Sequence, residues 1–218
     1  MNYTLENDIA LLAFDDGKAN AIGHEFMDAM DEALSRAETE AKAVIISGRE
    51  GLFSAGFDLK EIQKSGDAAR AILSKGSAMF YRLYAYPRPL VAACTGHAIA
   101  AGAFILLACD NRIGAKGAFQ IGLNETAINA TFPVFAIELA QTRLAPAYLT
   151  RAFIQSELFT PEMAVGAGFL DTITDPDSVL AEARRLATHL ATLPADAYAQ
   201  NKQDIRAQAL RAIKASLT

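Results

Sequence analysis

Three short stretches of this chain hold residues that could do chemistry together. Glu125 stands in Gly122-Leu123-Asn124-Glu125-Thr126 with Ile121, Leu123 and Ile128 as near neighbours, and Phe104 is expected across the same pocket. Apolar surroundings disfavour the charged form of a carboxyl, which raises its pKa toward neutrality, where a proton carrier works best. Ser54-Ala55-Gly56 and Ala100-Ala101-Gly102 are small-residue bends, each expected between a strand and a helix. The first turn of a helix has N–H groups without intrahelical partners at the positive end of the macrodipole, and small side chains let a ligand come close to them. Two such donors aimed at one point stabilise an oxygen that becomes negative, as when a thioester forms an enolate. Taken alone, each stretch also fits a blander account: close packing for the bends, a solvated or capping carboxylate for Glu125.

The elements that must position these stretches follow from the apolar pattern. Tyr3 to Glu6 and Ile9 to Phe14 flank Asn7-Asp8 as a hairpin. A helix through Phe26, Met30 and Leu34, the apolar run 43–47 and the loop 48–51 come next, and Asp58 is placed to cap a helix starting at Leu59. An amphipathic helix spans 67–84 until Tyr86-Pro87-Arg88-Pro89 stops it. The run 90–94 reads as a buried strand, then a turn opens into a helix apolar on every side, which belongs in the middle of a domain. After a short strand at 112–115, the chain from Pro133 onward reads as helices at 134–143, 148–155, 161–167, 178–192 and from 195. Strand alternating with helix gives an α/β fold with βαβ-like units.

Composition narrows the class. The 218 residues are 52% hydrophobic with a net charge of -5 and no run of Lys or Arg, which speaks against nucleic acid or an anionic membrane as main partner. Cys94 and Cys109 lie in apolar surroundings without metal spacing, as reduced core thiols do, and no cluster of ligands suggests a metal. With no signal-like or membrane-spanning segment, the expected compartment is the cytoplasm.

Phe53-Ser54-Ala55-Gly56-Phe57-Asp58-Leu59-Lys60-Glu61, the stretch 89–110 and Gly122-Leu123-Asn124-Glu125 resemble, in order and separation, the three signature regions of the crotonase superfamily, the enoyl-CoA hydratases and isomerases. Lys18-Ala19-Asn20-Ala21-Ile22 is similar to the family's N-terminal motif, whose loop runs close to coenzyme A. The resemblance implies a ClpP/crotonase-like ββα spiral core (about 1–145) and C-terminal helices (about 146–218) in one crotonase-like domain. It also implies trimers or dimers of trimers, and a coenzyme A thioester as substrate carrier with no separate cofactor. Carried over by position, the oxyanion donors fall on the N–H groups of Ala55 and Ala101. The acyl-CoA site falls on Ala19, Ala21, Ala55, Gly56, Phe57, Asp58, Leu59 and Ala101.

Hydratases of this family use two glutamates, and the first of those positions is Phe104 here. The second is Glu125. An apolar residue followed by one glutamate in Gly-Leu-Asn-Glu resembles the Δ3,Δ2-enoyl-CoA isomerases, in which one base moves a proton from C2 to C4. A hydratase with water held by Asn129 or Thr131, another crotonase reaction and a non-catalytic acyl-CoA-binding protein stay open as alternatives. Ser54 lacks the Gly-x-Ser-x-Gly elbow, which leaves a serine hydrolase as the weakest rival. His97 reads as a structural histidine, and Lys202 as a solvated helix residue rather than a phosphate ligand.

Overall fold

Consecutive strands of this chain alternate between two sheets, and that alternation brings the three stretches together. The computed structural model describes residues 1–217. It opens with the antiparallel pair β1 (Asn2–Glu6) and β2 (Ile9–Ala13), whose turn residues Asn7 and Asp8 both take positive φ, as a two-residue hairpin turn requires. There follow α1 (His24–Glu40), β3 (Ala43–Ser47), β4 (Gly51–Ser54), the short α2 (Leu59–Ile62) and α3 (Gly66–Ala85). The next units are β5 (Leu90–Cys94), β6 (Gly96–Ile99) and α4 (Ala101–Ala108), then β7 (Asn111–Ala115), β8 (Ile121–Gly122) and α5 (Val134–Arg143). α6 (Pro146–Leu149) runs into a π-helical turn (Thr150–Ile154), followed by β9 (Leu158–Phe159), α7 (Pro161–Ala167), β10 (Thr172–Thr174), α8 (Val179–Leu190) and α9 (Ala195–Ala215).

The larger sheet has the order β1-β2-β3-β5-β7-β10 and the smaller β4-β6-β8-β9. Each of the pairs β3/β4, β5/β6 and β7/β8 therefore gives one strand to each sheet before a helix intervenes, which is a ββα spiral with helices at its C-terminal end. Side chains of the larger sheet alternate between two cores, as period 2 dictates. Ala10, Leu12, Val44, Ile46, Leu90 and Ala92 join the core shared with α1, α3, α4, α5 and α9. Ile9, Leu11, Ala43, Ile45, Val91 and Ala93 pack under Val179, Ala183 and Ala187 of α8. No helix among the described residues is long and apolar enough to cross a membrane.

The structure differs from the sequence reading where strands are short. Residues 96–99, expected as a turn, form β6, and 51–54, expected as loop and bend, form β4. These strands carry glycine where backbones meet: a Cβ on Gly96 would collide with Gly51. Glycine there permits the close approach and hides the strand pattern. The helix expected over 148–155 divides into α6 and the π-helical turn.

α9 is fastened by charge. Lys202 Nζ donates to Asp110 at 2.6 Å and to the carbonyls of Tyr86 and Arg88 at 2.8 Å. Arg206 donates to the other Asp110 oxygen at 2.8 Å and to Tyr84 O at 2.7 Å. Lys202 is thus buried in an ion pair, neither solvated nor turned toward a ligand, and burial pulls its pKa down to about 8 although Asp110 opposes this.

Candidate active site

β4, β6 and β8 run parallel and side by side, with Ser54 opposite Ala98 and Ile99 opposite Gly122. Neighbouring strands lie about 4.8 Å apart, so the segments leaving their C-terminal ends emerge along one edge. α/β folds place ligands at such an edge. It gathers 55–58, 100–104 and 123–126, the three stretches singled out in the sequence.

The first two are docked on each other. A Cβ on Gly56 would stand 3.0 Å from Ala100 Cβ and 3.2 Å from the Ala101 nitrogen, and one on Gly102 would collide with the Ser54 carbonyl. Ser54 braces the junction: its hydroxyl donates to Asn20 O at 2.8 Å and accepts the Gly56 N–H at 3.2 Å. Asn20, held at φ +49, donates in turn to the carbonyls of Phe14, Leu52 and Phe53.

The amides of this junction are not equivalent. Ala55, expected as an oxyanion donor, gives its N–H to Ala19 O at 3.0 Å, so in this structure that donor is engaged within the protein. Gly56 gives its own to Ser54. Gly56 O accepts from Ile22 N–H at 2.8 Å and Ile22 O from Asp58 N–H at 3.1 Å, a parallel bridge between Ile22 and Phe57. In such a bridge the Phe57 N–H points away from the partner strand, and it takes no acceptor among the described residues. The Ala101 N–H, at the start of α4, is also unclaimed. Phe57 and Ala101 are thus unclaimed on either side of the contact between Gly56 and Ala101, as is the Gly102 N–H in the first turn of α4. Gly56 at φ +100 turns the chain between Ala55 and Phe57, and the motif alone does not reveal which flanking amide is left free.

Glu125 follows β8 by three residues and precedes the 3-10 turn Thr126–Ile128. Burial pushes its carboxyl up to about 7, against a smaller pull from the backbone N–H groups of Glu125 and Asn124. Its Oε2 and the neighbouring Asn124 Oδ1 are buried without a hydrogen-bond partner. Of its apolar sequence neighbours, Ile121 and Leu123 are buried whereas Ile128 is half exposed. Phe104, one turn into α4, is 1% exposed and lies edge-on to Phe80, Phe132 and Phe135. An apolar cluster fills the position.

Four of the other expected site residues gather around one cavity. Ala21 and Asp58 line a cavity of 550 Å³ whose walls include Asp15, Asp16 and Glu61, a setting that suits a neutral group better than a phosphate. Ala19 and Leu59 are exposed beside it. His97 Nδ1 accepts the Gln120 N–H at 3.0 Å, a structural role. Asn129 and Thr131 are exposed.

Strands alternating between two sheets, three of them ending along one parallel edge, define the crotonase class. The family model described as enoyl-CoA hydratase/isomerase matches residues 4–218. The chain is 29% identical over 194 residues to the rat mitochondrial enoyl-CoA delta isomerase 1, covering 87% of this chain and 67% of the relative. A solved enoyl-CoA hydratase/isomerase family protein from Pseudomonas syringae superposes with a TM-score of 0.96 at 38% identity, covering 99% of this chain and 94% of that one. A solved enoyl-CoA hydratase from Mycobacterium marinum gives a TM-score of 0.94 at 39% identity over 99% and 95% of the two chains. The chain belongs to the enoyl-CoA hydratase/isomerase family.

Proposed function

We propose that this protein is a Δ3,Δ2-enoyl-CoA isomerase with Glu125 as its single proton shuttle. The Glu125 carboxylate takes a proton from C2 of a 3-enoyl thioester. The released electron pair delocalises onto the thioester oxygen, whose negative charge is accepted by the N–H groups of Phe57 and Ala101. The carboxylic acid then returns the proton to C4, so that the double bond ends between C2 and C3 and no atom is gained or lost. The Ala55 amide is left out because Ala19 occupies it.

One observation carries the choice of isomerase: Phe104 is packed into an aromatic cluster at 1% exposure, where a two-carboxylate hydration would need its other acid. A carboxyl near 7 is available in both protonation states at neutral pH, as a shuttle must be. The rat relative's name supports this reading. Hydration is the second reading, favoured by the unpartnered Asn124 and Glu125 oxygens, which could accept hydrogen bonds from a water, and by the name of the M. marinum relative. Incubation with a 3-enoyl-CoA and, separately, with a trans-2-enoyl-CoA in water decides between them. The isomerase reading expects conversion of the first. Rapid hydration of the second without shift of the first overturns it.

A further inference from the structure

Glu125 is carried by a turn with little hold on the rest of the protein. Its carboxyl draws on the backbone N–H groups of Glu125 and Asn124, and Oε2 takes no partner. With no side chain bonded to the carboxyl among the described residues, the lie of the backbone decides where it stands. Within that backbone, Glu125 O accepts the N–H groups of Ile128 at 3.1 Å and Ala130 at 2.9 Å, and Thr126 O accepts that of Asn129 at 3.1 Å. These bonds shape the turn without fastening it. Among the described residues, one hydrogen bond joins 124–131 to another segment: the Ala127 N–H donates to Ser156 Oγ at 3.0 Å. The first N–H groups of a helical turn have no partners inside it, and here a hydroxyl from 29 positions away supplies one.

Ser156 lies just past the π-helical turn at φ +55, a left-handed conformation that glycine or asparagine adopts more readily. A serine kept there against its backbone preference points to the hydroxyl as the reason. The flanking chain holds it in place. Gln155 N–H donates to Thr150 O at 3.1 Å and Glu157 N–H to Arg151 O at 3.0 Å, while the Arg151 guanidinium grips the Glu157 carboxylate through bonds of 2.6 and 2.5 Å. Leu158 and Phe159 then pair with Gly122 and Ile121, so closely that a Cβ on Gly122 would stand 2.9 Å from Glu157 O. Segment 156–159 therefore meets the Glu125 loop on both sides, at 121–122 before the carboxyl and at 127 after it.

We propose that Ser156 is a positioning residue for Glu125, its hydroxyl setting the angle of the turn that carries the carboxyl. The proposal rests on Glu125 being the proton carrier, in isomerisation or hydration alike. Proton transfer depends steeply on such placement. Ser156→Gly tests it, because glycine removes the hydroxyl while suiting the left-handed backbone, so the melting temperature is kept. In that variant kcat, on whichever of 3-enoyl-CoA or trans-2-enoyl-CoA the unaltered protein converts, falls about fivefold, the worth of one hydrogen bond. KM stays nearly constant, and the Ala127 amide exchanges its hydrogen faster. Ser156→Asn keeps an acceptor oxygen and tolerates positive φ, and it recovers most of the lost kcat. An unchanged kcat in Ser156→Gly, a loss that appears in KM instead, or a Ser156→Asn variant as slow as Ser156→Gly overturns the proposal. If Glu125→Gln is inactive while Ser156→Gly is unaltered, only the role of Ser156 falls. If Glu125→Gln turns over at the unaltered rate, or the unaltered protein converts neither thioester, the proton-carrier reading falls and takes this role with it.

Discussion

Two buried polar clusters of this molecule make an instructive contrast. Beneath α9, Asp110 accepts from Lys202, Arg206, the Tyr198 hydroxyl and the Leu90 N–H, and the two cations also donate to the carbonyls of Tyr84, Tyr86 and Arg88. At the edge of β4, β6 and β8, Glu125 and Asn124 each keep a buried oxygen without a partner, and the Phe57 and Ala101 amides lack acceptors. The clamp is closed on itself, whereas the edge is open. A buried polar group without a partner costs stability, so several retained at one place make it the candidate ligand site. Burial and charge alone would have ranked the clamp as the more conspicuous site.

The contrast is broken most directly at Glu125. Glu125→Gln lowers turnover of 3-enoyl-CoA by roughly 10²–10⁴-fold, while calorimetry still registers acyl-CoA binding; unchanged turnover would move the chemistry elsewhere. Asp110→Asn does the reverse, leaving two buried cations without their anion at a cost of about 3–5 kcal/mol. Differential scanning calorimetry should show the loss, with kcat per folded molecule preserved. Gly102→Ala belongs to both regimes, because its Cβ collides with the Ser54 carbonyl. It is expected to cost about 1–3 kcal/mol and to lower kcat more than it raises KM, since it forces α4 away from the Phe57 amide.

A finer test uses pH. The Glu125 carboxyl titrates near 7 in the fold against an ordinary value of 4.5, so between these values the folded chain holds a proton that the unfolded chain has released. Stability from this group is full below about 4.5 and is lost as pH rises through 7. Glu125→Gln therefore melts higher than the unaltered protein at pH 8, by an amount that shrinks toward pH 4.5. Proton abstraction has the opposite dependence, and kcat/KM should rise with pH through about 7. Smallest of all, Tyr198→Phe removes one of several bonds to Asp110 and should cost about 1 kcal/mol in urea unfolding with activity retained.

Much of this was legible in the residues. The hairpin at Asn7-Asp8, the buried strands β3 and β5 and the start of α2, where the Asp58 side chain accepts the Lys60 N–H, announce themselves through turn chemistry, apolar runs and capping. The carboxyl of Glu125 was recognisable because its apolar neighbours are adjacent in sequence. β4 and β6 were not, since the glycines that let their backbones meet erase the strand pattern. Nor was the free amide at Phe57: the Ala19 carbonyl that occupies Ala55 comes from a loop 36 positions earlier, a contact that no local motif encodes. The clamp was missed for a similar reason. Asp110, Lys202 and Arg206 are brought together only when α9 returns across α3 and α5, and in sequence each reads as an ordinary surface charge.

Ala100 gives this edge an unusual mechanical character. Its backbone sits at φ +52 and ψ -125, the corner of a type II′ turn that suits glycine, and its N–H is tied to Gly122 O at 2.9 Å. A side chain held there against its preference leaves the corner few neighbouring conformations, so α4 starts at one fixed angle like a gear tooth seated under load. Glycine in its place would relax the backbone and make the molecule hardier to heat, yet the gear would gain play. An engineer selecting for thermal endurance alone would find that substitution early, at some expense to the aim of the Ala101 amide.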